Sequence, residues 1–160
     1  MKMNKNELPR NLRNNNPLNM RRTRDQWLGL REEQTDRSFC QFKEMKYGWR
    51  AAFIQLCRNY YYRDKLKTID QIIGKWAPAV ENDTKRYAAT VRHWMGVQPD
   101  YVLPYPAYDS GTWMKLALCM ACYEGGVKFE ECREHIDYLP LIEGWMMYED
   151  VAHKGRYGAL

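Results

Sequence analysis

The sequence predicts a mainly α-helical single domain with a small irregular or β-like portion near its N-terminus. Apolar residues recur at helical spacing over most of residues 47–149, and capping residues and glycines stand where these stripes begin and end. A chain of 160 residues suits one domain, and 45% hydrophobic residues are enough for a folded core. We expect residues 1–10 to form a flexible basic leader, 11–150 the domain and 151–160 a frayed tail.

The segment NLRNNNPLNMRR, residues 11–22, is too rich in asparagine and proline for a regular helix. Asparagine tolerates left-handed backbone and caps its own turns, so these amides predict a tight loop bonded to itself. Pro17 fixes its own φ and also moves Asn16 away from helical geometry. For the stretch that follows, the pattern predicts extended or irregular structure with a small hairpin around Thr35–Asp36.

Six helical segments are predicted after this region. The pair Thr68 and Gln71 has the spacing of a capping box, Pro78 ends that helix, and Gly96 is a typical C-terminal stop for the next. Asp109 supplies a cap before the fourth apolar stripe. The predicted helices are therefore, in order, about 47–64, 68–77, 83–96, 112–124, 129–136 and 139–149.

The net charge of +5 is concentrated at the N-terminus, because residues 1–31 hold eight basic and two acidic side chains. Such an arm suggests an anionic partner, which could be a cell-wall polymer, a membrane surface or a nucleic acid. Nucleic acid ranks last, because no helix-turn-helix or interleaving of aromatic and basic residues supports it. No apolar run is long enough for a membrane span or a secretory signal. We therefore expect synthesis in the cytoplasm with the five cysteines as free thiols.

The segment KWAPAVENDTKRY, residues 75–87, carries the first candidate for acid–base chemistry. Glu81 and Asp83 stand at the start of a predicted helix, where the helix dipole favours a charged carboxylate. An apolar wall such as Trp76 would instead raise the pKa of a carboxyl group, as a general acid requires. The alternative is plain helix capping, with Asn82 or Asp83 as the cap and Glu81 in solvent.

Four motifs occur in order between Arg13 and Gly96: RNNNPLNMRR, FCQF, YGWRA and KWAPAVENDTKRY. As a set they resemble a family of phage and prophage proteins related to the lytic protein of enveloped double-stranded-RNA phage virions. The resemblance implies a lysozyme-like or lytic-transglycosylase-like fold that degrades peptidoglycan. The chain departs from the pattern at Leu18, where the family has glycine, and at Lys75, where it has arginine. If position 18 needs a positive φ, the loop must be strained or reshaped.

The resemblance also implies roles for individual residues. A single-glutamate mechanism, in which the sugar's N-acetyl group assists, needs one acid, and Glu81 is the first candidate with Asp83 or Asn82 positioning it. Rival acids are Glu32, Glu33 and Glu44. The Asn-rich loop is expected to form a wall of the cleft, although a purely structural loop is the alternative. The residues expected to bind substrate are Asn15, Asn16, Asn19, Arg21, Arg50, Trp76, Asn82 and Tyr87.

Three cysteines and a histidine in the C-terminal third of the chain are candidates for a zinc-binding site. Their spacing, C-x2-C-x9-C-x2-H, provides suitable ligand types. However, the first two lie within an amphipathic helix, where cysteines three apart are more often small core residues. We expect no metal and no cofactor, with the zinc question left open for Cys119, Cys122, Cys132 and His135.

The leading functional hypothesis is a peptidoglycan-degrading enzyme that cleaves the glycan strand and reaches the wall through a holin, a virion or an injection system. Its expected partners are peptidoglycan and phage virion or injection-system components, without nucleic acid or a membrane span. Two alternatives remain open: a non-catalytic virion structural or wall-binding module, and a murein endopeptidase on the same fold.

Overall fold

In a computed structural model of the chain, the structure describes residues 8–80 and 83–154. The fold is mainly α-helical, as the sequence predicts. We label the helices in chain order, with π1 for a π-helix and η1 for a 3-10 turn. They are α1 (Arg10–Arg13), α2 (Met45–Phe53), π1 (Ile54–Arg63), α3 (Ile69–Trp76), α4 (Thr84–Met95), α5 (Ser110–Gly125), η1 (Phe129–Glu131), α6 (Cys132–His135) and α7 (Tyr138–His153).

Local capping explains most of the helix boundaries. Thr68 and Gln71 form the predicted capping box, in which the Gln71 N–H donates to Thr68 Oγ1 at 3.2 Å and Gln71 Oε1 accepts in return from the Thr68 N–H. Asp109 caps α5. Gly96 and Gly126 end α4 and α5 in left-handed conformation, with φ of 72° and 68°.

The first long helix changes register in its middle. No helix-breaking residue separates α2 from π1, so the two form one continuous helix that changes to i→i+5 bonding at Ile54. Residues five apart, such as Gln55 and Tyr60, then come near one face of π1. The periodicity predicts a helix over this stretch but not the wider register, which brings different side chains together.

The N-terminal region is irregular, as predicted, but the expected hairpin is not a regular ladder. Among the described residues the backbone forms only isolated antiparallel bridges here, Arg21 with Phe39 and Leu30 with Phe42. The turn is organised by Asp36, whose carboxylate accepts from the backbone N–H groups of Ser38 and Phe39 at 2.9 and 3.0 Å.

Helix α5 lies in the core, and eight of its residues between Trp113 and Cys122 are buried. Around it, α2 packs on α7, α3 packs on α4, and α4 packs on α5. Two of the predicted boundaries fall inside helices: Arg10, expected in the leader, begins α1, and α7 continues to His153. Within the described residues, none of the helices is long and apolar enough to cross a membrane.

Candidate functional site

A cleft of about 240 Å³ opens where the Asn-rich loop meets π1 and the C-terminal ends of α3 and α5. This is slightly below the roughly 300–1,000 Å³ of typical small-molecule pockets, so it suits one ring or a short branch of a larger ligand. Its walls combine polar groups with aromatic rings. The lining residues are Asn19, Met20, Arg21, Thr23, Asp25, Trp27, Phe39, Gln55, Tyr60, Trp76, Ala77 and Glu124.

Most asparagines of the loop hold its own backbone together. Asn16 is fully buried, and its Nδ2 donates to the carbonyl oxygens of Met20 and Cys40, both at 2.9 Å. Asn11 Nδ2 donates to Pro17 O at 2.9 Å and to Ala121 O at 3.1 Å, which ties the loop to α5. These amides are engaged within the protein, so a role for Asn16 in binding substrate does not fit its position.

Two other expected binding residues also lie in structural positions. The Asn15 amide donates to the carbonyl oxygens of Phe42 and Lys43 at 3.2 Å. Arg50 lies in the buried part of α2 with 5% of its surface exposed, and its burial lowers the pKa of the guanidinium. Arg50 is therefore a core residue in this fold, and neither side chain belongs to the set that lines the cleft.

Leu18 does not strain the loop. Its φ is not positive, and its side chain is completely buried. The left-handed positions are instead Asn15 and Asn19, with φ of 50° and 52°, and asparagine tolerates this conformation. The Trp76 indole Nε1 donates to the Leu18 carbonyl oxygen at 3.2 Å, so the loop is anchored to the end of α3.

The polar centre of the cleft is a carboxyl group that the motifs do not include, that of Glu124. Glu124 lies in the last turn of α5, and its Oε1 accepts from Asn19 Nδ2 at 3.0 Å. The Tyr87 hydroxyl can donate its one proton to this carboxyl group, with Met120 O as the other acceptor within reach, at 3.4 Å. The Tyr87 ring stacks on Tyr123 with centroids 4.0 Å apart. The position of the carboxyl group is therefore fixed from two sides.

Burial raises the pKa of Glu124, because desolvation disfavours the charged form. The hydrogen bonds from Asn19 and Tyr87 and the charge of Arg21 act in the opposite direction but do not outweigh burial. The position in the last turn of a helix adds to the effect, since the negative end of the helix dipole disfavours an anion there. A carboxyl group with a raised pKa beside an open cleft is what a general acid requires.

The sequence contains a signal for Glu124 that motif matching does not use. In YEGG an acidic residue stands in the last turn of a helix just before its glycine cap, where basic residues are the usual choice. An acid in this position is electrostatically costly, which favours a functional explanation. Its partner Asn19 lies 105 residues away in the sequence, so local pattern could not show the pairing.

The expected catalytic residues lie elsewhere or outside the described structure. Glu81 and Asn82 are outside the described residues. Asp83 is exposed and caps α4, accepting from the Arg86 N–H at 3.1 Å. The rival acids Glu32, Glu33 and Glu44 are exposed. Of the residues expected to bind substrate, the cleft brings together Asn19, Arg21 and Trp76, and Tyr87 reaches it through Glu124.

A second carboxylate, Asp25, lines the same cleft on the loop side. It is exposed and accepts from the Thr23 hydroxyl at 3.1 Å. The cleft therefore pairs a partly buried carboxyl group on α5 with an exposed one on the loop. Glycoside-cleaving enzymes often use two carboxyl groups in such contrasting environments, one as acid and one as base or nucleophile.

Asn19 also has a free acceptor. Its Nδ2 is engaged with Glu124, whereas its buried Oδ1 has no hydrogen-bond partner among the described residues. A buried acceptor without a partner is unfavourable. A ligand N–H or O–H group that donated to it would therefore remove this cost and add to the affinity of the ligand. Trp76 and Tyr60, which meet edge to face with centroids 6.0 Å apart, form the apolar wall of the cleft.

The cysteines do not form a metal centre in the described part of the chain. All five thiols are buried and unoxidised, and the Cys122 thiol is hydrogen-bonded to that of Cys132. Within the described residues, no three His, Cys, Asp or Glu side chains are grouped so that they could hold a metal ion. Cys119 and Cys122 pack in the core on α5, which corresponds to the structural alternative that the sequence left open.

Comparison with known proteins gives one informative relative. The chain is 40% identical over 111 residues to protein P5 of Pseudoalteromonas phage PM2, and the match covers 66% of this chain and 69% of that protein. No protein-family model matches the chain.

Proposed function

This chain belongs to the family of protein P5 of phage PM2, and we propose that it is a phage protein that cleaves the glycan strand of peptidoglycan with Glu124 as its acid. The observation that carries the proposal is the partly buried Glu124 carboxyl group, with its raised pKa, in the lining of a cleft that combines polar and aromatic groups. The motif resemblance to phage lytic proteins adds the substrate class, and the family membership adds the phage context.

The proposed reaction begins with protonated Glu124 donating its proton to the glycosidic oxygen. The bond from that oxygen to C1 breaks, and positive charge develops on the sugar ring. The N-acetyl group, or the 6-hydroxyl of the same sugar, attacks C1. After N-acetyl attack, water adds to C1 and breaks the new C1–O bond to the N-acetyl oxygen. The Glu124 carboxylate takes up the proton of that water, or of the 6-hydroxyl in the other route. Asn19 and Tyr87 hold the carboxyl group in place throughout.

Two forms of this reaction differ in whether they need a second carboxylate. If water attacks C1 directly, without help from the N-acetyl group, a second carboxylate must take up its proton, and exposed Asp25 in the same cleft is the candidate. If the 6-hydroxyl attacks, a 1,6-anhydro ring forms and a second carboxylate is not needed. In either form, the aromatic rings of Trp76 and Tyr60 would contact the apolar faces of a sugar ring.

The test is digestion of purified sacculi, with the released fragments identified by mass spectrometry. Wild type is expected to release anhydro-muramyl fragments or fragments with new reducing ends. Glu124→Gln keeps the shape and the acceptor for Asn19 but cannot donate a proton, so its rate should fall by about 10²–10⁴-fold. Glu81→Gln is the matched control at the acid that the motif favours, and Asp25→Asn separates hydrolysis from anhydro-ring formation.

Several outcomes would contradict the proposal. Equal activity of Glu124→Gln and wild type would remove Glu124 from the chemistry, and a loss in Glu81→Gln alone would move the acid to that residue. Release of free stem peptides would make the protein an endopeptidase. Binding of intact sacculi without any release would make it a wall-binding module.

The pH dependence of the reaction provides an independent check on Glu124. Because burial raises its pKa above the ordinary 4.5, the acid stays protonated, and activity persists, at pH values where an exposed glutamate has already ionised. We expect the rate to fall as the pH rises through this raised pKa. Initial rates on sacculi across the pH range measure it, and a rate that rises steadily over the same range would contradict the assignment.

A further inference from the structure

A second cavity, of about 350 Å³, lies on the other side of π1 from the cleft. From π1, Gln55 and Tyr60 line the cleft, whereas Arg58 and Tyr62 line this cavity. Side chains four or five apart share a face in a π-helix, so the two pairs lie on different faces of one element. The cavity is closed by the last turns of α7 and by the connector before α5.

Three aromatic side chains in the walls of this cavity, Tyr62, Trp145 and Tyr148, are held in place by their contacts. Trp145 meets Phe53 edge to face with centroids 4.9 Å apart, and it meets Tyr148 at 5.0 Å. The Tyr62 hydroxyl accepts from the Ala107 N–H at 3.4 Å. Because these rings are fixed, the cavity is a preformed apolar site that a ligand can enter with little rearrangement.

Two hydrogen-bond donors in these walls have no partner. Arg58 Nη1 and Trp145 Nε1 are both buried and make no hydrogen bond within the described residues, and Trp145 is only 3% exposed. Buried donors are nearly always paired in folded proteins, and an unpaired one, above all on a guanidinium, is costly. Both residues line the cavity, so an acceptor bound there that draws either donor a short way out of the wall would satisfy it.

The charges around the cavity favour an anionic acceptor. Arg58 is a partly buried cation that makes no ion pair within the described residues. The other side chains of the lining that can carry a charge near neutral pH, Glu149 and His153, are exposed. Solvent screens exposed charges much more than buried ones, so the guanidinium dominates the interior of the site. A carboxylate matches a guanidinium in geometry as well as in charge.

We propose that this cavity is a second binding site, which takes a carboxylate carried on an apolar body. The carboxylate accepts from Arg58 and from the Trp145 indole, and the apolar body packs between Tyr62 and Tyr148. This ligand chemistry is shared by small aromatic or aliphatic acids and by the C-terminus of a peptide with an apolar last residue. The site is independent of any lytic activity in the cleft.

The test uses full-length protein with ¹⁵N-labelled tryptophan. The indole N–H signal of Trp145 is assigned as the one that disappears in Trp145→Phe, a change that keeps a ring in the core. We expect this signal to shift on titration with 3-phenylpropionate. The amide 3-phenylpropionamide has the same body without the charge, and it should bind at least about tenfold more weakly because the charge-assisted pair is lost.

Variants and peptide probes complete the design. Arg58→Gln should also weaken binding of 3-phenylpropionate at least about tenfold. Arg63→Gln is the matched control, because Arg63 lies on the same helix but is exposed and pairs with Asp64 at 2.9 Å. The affinity of this variant for 3-phenylpropionate should equal that of wild type. The peptide acetyl-Ala-Ala-Phe, with a free or an amidated C-terminus, is tested in parallel. Tighter binding of the free-carboxyl peptide than of 3-phenylpropionate identifies a peptide terminus, and the reverse identifies a small acid.

The proposal is overturned if no probe moves the Trp145 signal up to its solubility limit. It is also overturned if acid and amide bind equally well, a comparison that needs only the wild-type protein. Unchanged affinity in folded Arg58→Gln would have the same consequence.

Discussion

Leu18 shows how a single residue can depart from a motif without harming the fold. The related pattern has glycine at this position, yet here the side chain is fully buried and the left-handed conformations fall on Asn15 and Asn19. The asparagines provide the backbone freedom that the glycine would otherwise supply. The leucine therefore adds a core contact in place of flexibility.

Restoring the glycine should accordingly destabilise this protein. Leu18→Gly removes a completely buried side chain and frees the unfolded backbone, so the free energy of unfolding should fall by about 3–5 kcal/mol. Urea unfolding followed by circular dichroism measures it. Leu28→Gly is the control at a leucine that is 50% exposed, and an equal loss at both positions would show that burial is not the cause.

Asp36 organises the loop region through one carboxylate. It accepts from Arg10 Nη2 at 2.6 Å and from Asn14 Nδ2 at 2.9 Å, in addition to the two backbone N–H groups of its turn. The Arg10 guanidinium and these hydrogen bonds hold the pKa of Asp36 far below its ordinary value of 3.8. Its carboxylate stabilises the fold only while it is ionised.

The sign of the resulting pH dependence follows from the lowered pKa. The stabilisation is fully present above the unfolded pKa of about 3.8 and is lost as the pH falls from there toward the folded pKa. Asp36→Asn should lower the free energy of unfolding by about 2 kcal/mol at pH 7. The difference from wild type should shrink as the pH is lowered below 4, and urea titrations at several pH values test this. A difference that stays constant down to pH 3 would contradict the account.

At the scale of elements, the contact of α2 with α7 depends on a glycine. A Cβ built at Gly144 would lie 2.4 Å from Trp49 Cβ, 2.9 Å from Lys46 O and 3.0 Å from Arg50 N. Two of these neighbours are backbone atoms, which cannot move without shifting the helix. The two helices can approach this closely only because position 144 has no side chain.

Gly144→Ala should therefore force α2 and α7 apart. We expect a loss of about 2–3 kcal/mol in the free energy of unfolding, the cost of overpacking a tight core. Gly74→Ala is the matched control, because it lies within α3 with no atom inside 4 Å of the new Cβ. That change should instead stabilise the protein by about 0.5–1 kcal/mol through helix propensity. Thermal unfolding of both variants distinguishes the two, and a stable Gly144→Ala would contradict the packing argument.

At the scale of the whole molecule, residues that are far apart in the sequence line one cleft. The loop carries Asn19, and α5 carries its partner Glu124, 105 residues later. The motifs end near Gly96, but α5 and α7 supply much of the core, including Trp113 and Trp145. The part of the chain without motifs is therefore required for both the fold and the site.

A fragment of residues 1–96 should not fold on its own. It would expose the faces of α2 and α4 that pack on α7 and α5, and it would lack Glu124. We expect no cooperative thermal transition by circular dichroism, in contrast to the full-length chain. A cooperative transition in the fragment would show that residues 1–96 fold without residues 97–160.

The sequence by itself determined the helical class and most helix boundaries, because apolar periodicity and caps such as Thr68, Asp109 and Gly96 act over a few residues. It also predicted that the Asn-rich loop bonds its own turns. Only the tertiary structure decided that Arg50 is a core residue and that Glu124 meets Asn19. These outcomes depend on contacts between distant parts of the chain, and burial there sets both the pKa of a carboxyl group and the access of a side chain to the cleft.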